Sequence, residues 1–157
     1  MRVDPYSLAR SALAGAAAGI FASFAMNQFQ AVVSNPGSSS GRGGDPATVK
    51  AAERLVGHGI EEREKGRAGE AVHYGFGAAL GMAYGAAAEI EPWITAGFGL
   101  PYGSAVAVVA DEALVPATKL SGLPWASPPE THAYAILSHL VFGAALEAAR
   151  RVVLRVV

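Results

Sequence analysis

Ser11 to Val33 reads SALAGAAAGIFASFAMNQFQAVV, and no charged residue occurs between Arg10 and Arg42. At about 1.5 Å per residue, a helix of this length matches a bilayer core of roughly 30 Å. Outward from it, further uncharged runs lie between Glu70 and Glu89, between Glu91 and Asp111, and from Thr131 to Leu146. The first two of these are near the lower limit for a spanning helix. The last is shorter, but it continues through Glu147 into Arg150, Arg151 and Arg155, whose long stems carry their charge to a headgroup layer. The expectation is an all-α chain forming a single membrane domain over 1–157, a bundle of four transmembrane helices at roughly 8–33, 69–89, 93–115 and 131–154. A soluble Ala-rich helical bundle and a cleaved secretory signal are the alternatives. The charge-free runs weigh against the first, and an apolar stretch longer than a usual signal weighs against the second.

Composition agrees. Hydrophobic residues make up 52% of the 157 and charged residues 16%, against about 25% charged in ordinary soluble domains. With 12 Lys and Arg against 13 Asp and Glu, no basic excess exists to neutralise a phosphate backbone, so nucleic-acid binding is not expected. The absence of cysteine excludes disulfides, a thiolate nucleophile and cysteine-based metal centres. Neither a GxxxxGK[ST] phosphate loop nor a nucleophile elbow set between strand and helix is found, so the protein is not expected to be an enzyme.

Between the first two apolar runs, Asn35–Gly44 (NPGSSSGRGG) is a flexible linker. Asp45 and Pro46 then supply a cap and a first helical residue for an amphipathic surface helix at about 45–65, with Val49, Ala52, Leu55 and Val56 on one side. Trp93 and Trp125 stand where interfacial anchors belong. An even number of crossings puts both termini at one end, with five Lys and Arg, and the two long loops at the other, with seven. That split is too even to assign an orientation.

Two segments repeat. His73-x-x-Phe-Gly-Ala-Ala-Leu80 recurs as His139-x-x-Phe-Gly-Ala-Ala-Leu146, and Gly19 with Asn27-Gln28 is matched by Gly103 with Asp111-Glu112 at the same spacing. This pattern describes a parallel two-helix repeat. It gathers Asn27, Gln28, His73, Asp111, Glu112, His132 and His139 at the loop end of the helices. His132 and His139 share a helix face about 10.5 Å apart. Charged and imidazole groups at membrane depth are costly and usually face the interior, either as interhelical glue or as a functional cluster. Three chemistries fit these residue types: haem ligation by His73 and His139, a divalent metal held by His73, His139, Asp111 or Glu112, and proton relay through His139 and Asp111. At the opposite end, Glu147 is expected to pair with Arg150 or Arg151. Gly15-x3-Gly19 and Gly77-x3-Gly81-x3-Gly85 are expected to let helices approach closely, and Pro101 to kink the third helix.

The order His73-x2-Phe76, Tyr84, Ala88-Glu89-x2-Pro92, Pro116, Gly122-Leu123-Pro124-Trp125, Ser138-His139-Leu140-Val141, Glu147 and Arg150-Arg151 resembles the YagU-like family of bacterial inner-membrane proteins, over about residues 70–152. The resemblance implies a multi-pass protein of the bacterial inner (cytoplasmic) membrane with an association with acid resistance. It implies no ligand or catalytic residue. The expected function is that of a non-enzymatic accessory or stress-related membrane component. Its expected partners are the lipid bilayer and a second copy or other membrane subunits.

Overall fold

The computed structural model describes residues 4–33, 46–120 and 128–156, and every element among them is helical. Helix α1 spans Pro5–Val33. It starts earlier than expected because Asp4 accepts the Ser7 amide at 3.0 Å through its carboxylate, with Pro5 in the first helical position. Helix α2 spans Ala47–Val56 and ends at Gly57, whose left-handed φ of 78° lets its N–H reach the Glu53 carbonyl. Helix α3 spans Glu62–Ile90. The expected surface helix at 45–65 is therefore two pieces, α2 and the charged first turns of α3, because Gly57 stops the first at low steric cost. The linker at 34–44 and Asp45 lie outside the described residues, as does Trp125.

After α3, a 3₁₀ turn at Pro92–Thr95 leads to Gly97, Phe98 and Gly99, all with positive φ. Helix α4 opens only at Leu100 and runs to Val106, so the third helix does not begin at 93. Pro101 sits in the first turn of α4, where no intrahelical donor is lost, and it kinks nothing. The irregularity falls further on, in a π-helical segment at Ala107–Leu114, followed by the short α5 (Val115–Ala117). Helix α6 spans Pro129–Val156.

Helix α1 lies between α3 and α6. Along α3 the register is antiparallel: a Cβ on Gly15 would overlap the carbonyl oxygen of Gly81, one on Gly19 that of Gly77, and one on Gly85 that of Ser11. Along α6 it is again antiparallel, with the Arg10 guanidinium donating to the Leu154 carbonyl at 2.7 Å and Ala18, Ala22 and Met26 packed with Tyr84, Phe142 and Leu146 in the core. Helices α3 and α6 thus run the same way. Helix α4 makes a second backbone seam with α6, where Gly99 meets the carbonyl of Gly143 and Gly103 that of His139. The two seams are built alike but differ by one turn: a Cβ on Gly19 would overlap the Gly77 carbonyl, whereas one on Gly103 would overlap the carbonyl of His139, one turn before Gly143.

On α1, side-chain size is inverted relative to a soluble core. The buried positions of α1 are Ser11, Ala14, Gly15, Ala18, Gly19, Ala22, Ser23 and Met26, while Leu13, Ile20, Phe21 and Phe24 face outward. Among the described residues one helix, α1, is long and apolar enough to cross a membrane. The others fall short for identifiable reasons. Glu62 to Glu70 charges the first third of α3, whose remainder is largely Gly and Ala; α4 opens late; and α6 carries Glu147, Arg150, Arg151 and Arg155 in its last third.

Candidate functional site

A cavity of about 630 Å³ opens at the loop end of the helices, and five of the seven expected cluster residues line it: Asn27, His73, Asp111, His132 and His139. Gln28 does not. It faces outward, and Gln30 lines the cavity in its place, being three residues from Asn27 and so on the same helix face. The Glu112 side chain lies outside the described residues.

His73 is held by the α1–α3 seam. One turn below Gly77, it hydrogen-bonds to the backbone of Ser23, while its Nε2 is buried with no hydrogen-bond partner among the described residues. His139 is held differently, with Nδ1 at 2.9 Å from the Ala135 carbonyl one turn back on its own helix and 3.4 Å from Asp111 Oδ2. The shorter distance marks the carbonyl as the hydrogen-bond acceptor, and the carboxylate adds electrostatic attraction. Asp111 reaches this position from the π-helical segment, whose wider turn rotates it away from the face that an α-helical register after Gly103 would give.

The wall between these polar groups is apolar, with Phe76, Leu80, Val106 and Phe142 lining the same space. Helix α2 supplies part of the rim. Val49 is buried against Gly69 of α3, where a Cβ would sit 3.0 Å from the valine methyl, and Thr48 and Val49 line the cavity. Lys50 donates to the Leu120 carbonyl at 3.2 Å and Arg54 to that of Thr118, so both cations of α2 are directed to the carbonyl end of α5. Among the described residues the cavity lining contains the carboxylates Glu70 and Asp111 and neither Lys nor Arg. Glu70 was legible three residues before His73. Thr48 had no signal in the sequence, because it arrives from α2, whereas Tyr134 stands on α6 between His132 and His139. Among the described residues no three His, Asp or Glu side chains come together as a metal-binding group; of the expected metal set, the Glu112 side chain lies outside them.

The opposite end holds a buried charge cluster. Glu147 is fully buried and accepts from Tyr84 Oη at 2.9 Å, Arg150 Nε at 2.8 Å and Arg151 Nε at 2.7 Å, so it pairs with both arginines, not with one. The Arg151 guanidinium also lies 4.9 Å from the Phe98 ring centre. Ser7 and Ser11 of α1 both donate to Glu89, the latter at 2.5 Å. These groups clamp the end of the helices where the chain reverses. Tyr84 was not foreseen as their partner, since it lies 63 residues from Glu147.

Residues 57–148, more than half of the chain, match a family described as protein of unknown function (DUF1440), and the chain belongs to that family. The matched region includes His73, Asp111, His132, His139, Tyr84 and Glu147 and leaves α1 and α2 outside it. No curated protein and no solved structure matches the chain.

Proposed function

We propose that this protein is a small multi-pass component of the bacterial inner membrane, with α1, α3, the α4–α5 segment and α6 all crossing the bilayer. In this reading it is non-enzymatic and acts as an accessory subunit, alongside a second copy or another membrane protein. The observation that carries the reading is the inverted packing of α1, with glycine, alanine and serine inside and Leu13, Ile20, Phe21 and Phe24 outside. In water such a helix would leave its largest apolar side chains solvated. In lipid the same arrangement is favourable, because small interior residues give close backbone approach and the large ones meet acyl chains. The resemblance of residues 70–152 to YagU-like proteins supports an inner-membrane location and a role in stress.

The chain has no cysteine, so topology can be read by single-cysteine labelling without background. Tyr6→Cys, Glu91→Cys and Val156→Cys are expected to react with a membrane-impermeant maleimide from one side. Leu55→Cys and Lys119→Cys should react only from the other; all five positions are exposed. Labelling of all five from one side, or release of the protein by alkaline carbonate, overturns the reading.

A further inference from the structure

We infer that the cavity at the loop end is a binding site for an organic cation with an apolar body, such as a protonated or quaternary amine. Three observations converge on this class, and they stand on the cavity itself, independently of how many helices cross the bilayer. The first is charge. Among the described residues the lining holds Asp111 and Glu70 as formal charges, three imidazoles, and no Lys or Arg. Among the described lining residues, an entering monovalent cation would meet carboxylates and no Lys or Arg. Of the basic residues beside lining positions in sequence, Lys50 donates to the Leu120 carbonyl, Lys65 pairs with Glu62 at 2.8 Å and Arg67 is exposed.

The second observation is size. A volume of about 630 Å³ falls in the range of small-molecule sites, about 300–1,000 Å³, and far exceeds the room a bare metal ion needs. No three metal-ligating side chains converge among the described residues, which agrees with an organic ligand over an ion. The third is the character of the wall. Phe76 and Phe142 lie on it with Leu80 and Val106, so an apolar body has a surface to cover. His139 Nδ1 lies 3.4 Å from Asp111 Oδ2, and Glu70 is exposed.

The test is equilibrium binding to the full-length protein in mild detergent, with tetraphenylphosphonium as the cation and tetraphenylborate as a probe of the same shape and opposite charge. Saturable, roughly stoichiometric binding of the phosphonium and none of the borate is expected. Asp111→Asn, which keeps the shape of the side chain, should weaken phosphonium binding by about tenfold, while Glu130→Gln, outside the cavity lining, should leave it unchanged. Retention of helical circular dichroism and of the wild-type melting temperature by Asp111→Asn shows that a loss is not unfolding. If that variant does not fold, His139→Gln, beside Asp111, carries the same expectation. Equal uptake of both probes, unchanged affinity in the cavity variants, or stoichiometric zinc or nickel binding with no phosphonium binding each overturns the inference.

Discussion

The seam between α1 and α3 supports a quantitative test, because the same helix carries glycines that must be glycine and others that need not be. In Gly81→Ala the new methyl would lie 2.8 Å from Gly19 Cα and 2.9 Å from Gly19 N, on top of its overlap with the Gly15 carbonyl oxygen. Comfortable carbon–carbon separation is about 3.5–4.0 Å, so the two backbones must part by roughly 1 Å. Neither side can yield by rotating a side chain, since every atom met is backbone. A gap of that size forfeits about a quarter to a half of the attraction at each atom pair along the seam. Overpacking of this kind costs about 1–3 kcal/mol. Gly75, earlier on α3, faces open space, and a Cβ placed there would meet nothing within 4 Å. Gly75→Ala should therefore be neutral or stabilise by up to about 1 kcal/mol through helix propensity. The assay is reversible unfolding by sodium dodecyl sulfate in mixed micelles, followed by far-ultraviolet circular dichroism. Equal stability of Gly81→Ala and the native protein would refute the close-seam argument, and so would equal destabilisation by both substitutions.

At the other end of the helices, Glu147→Ala removes the partner of two guanidinium groups and should cost about 3 kcal/mol in the same assay. Tyr84→Phe, which removes one hydrogen bond and keeps the ring, should cost about 1 kcal/mol; a larger effect for Tyr84→Phe than for Glu147→Ala would contradict the cluster as described. Pro101→Ala should change stability by less than about 1 kcal/mol and leave helical content unchanged, since the proline stands in a first turn and not in a helix interior. A large gain in ellipticity would show that it breaks a helix after all.

Much of the helical framework was legible because its signals are local. Charge-free runs and small-residue spacing at Gly15, Gly19, Gly77, Gly81 and Gly85 announce helices that touch through their backbones, and the matched His73 and His139 segments announce which ends carry polar groups. Five of the seven cluster residues line one cavity for that reason. The errors came where a local signal had two meanings. Pro101 reads as a kink or as a first-turn residue, and only the left-handed turn at Gly97, Phe98 and Gly99 decides for the second. The stretch at 45–65 reads as one amphipathic helix until Gly57 takes a left-handed conformation and divides it. Gln28 and Gln30 are both polar and near the end of α1; which one faces inward depends on the rotation of α1 against its neighbours.

What the sequence determined by itself was therefore helix, small-residue packing, the absence of thiol chemistry and the end of the molecule where imidazoles and carboxylates collect, since each follows from composition or from spacing along one helix. The tertiary structure decided the rest. It set the second seam one turn out of step with the first, so that the Gly103 backbone abuts the backbone of His139, and it turned Asp111 to that residue through the π-helical segment. It also laid Thr48 and Val49 on the rim and joined Tyr84 to Glu147 across 63 residues. The physical reason is the same in each case: these contacts depend on the rotation and axial slide of one helix against another, and those two quantities are set by the packing of all the helices together.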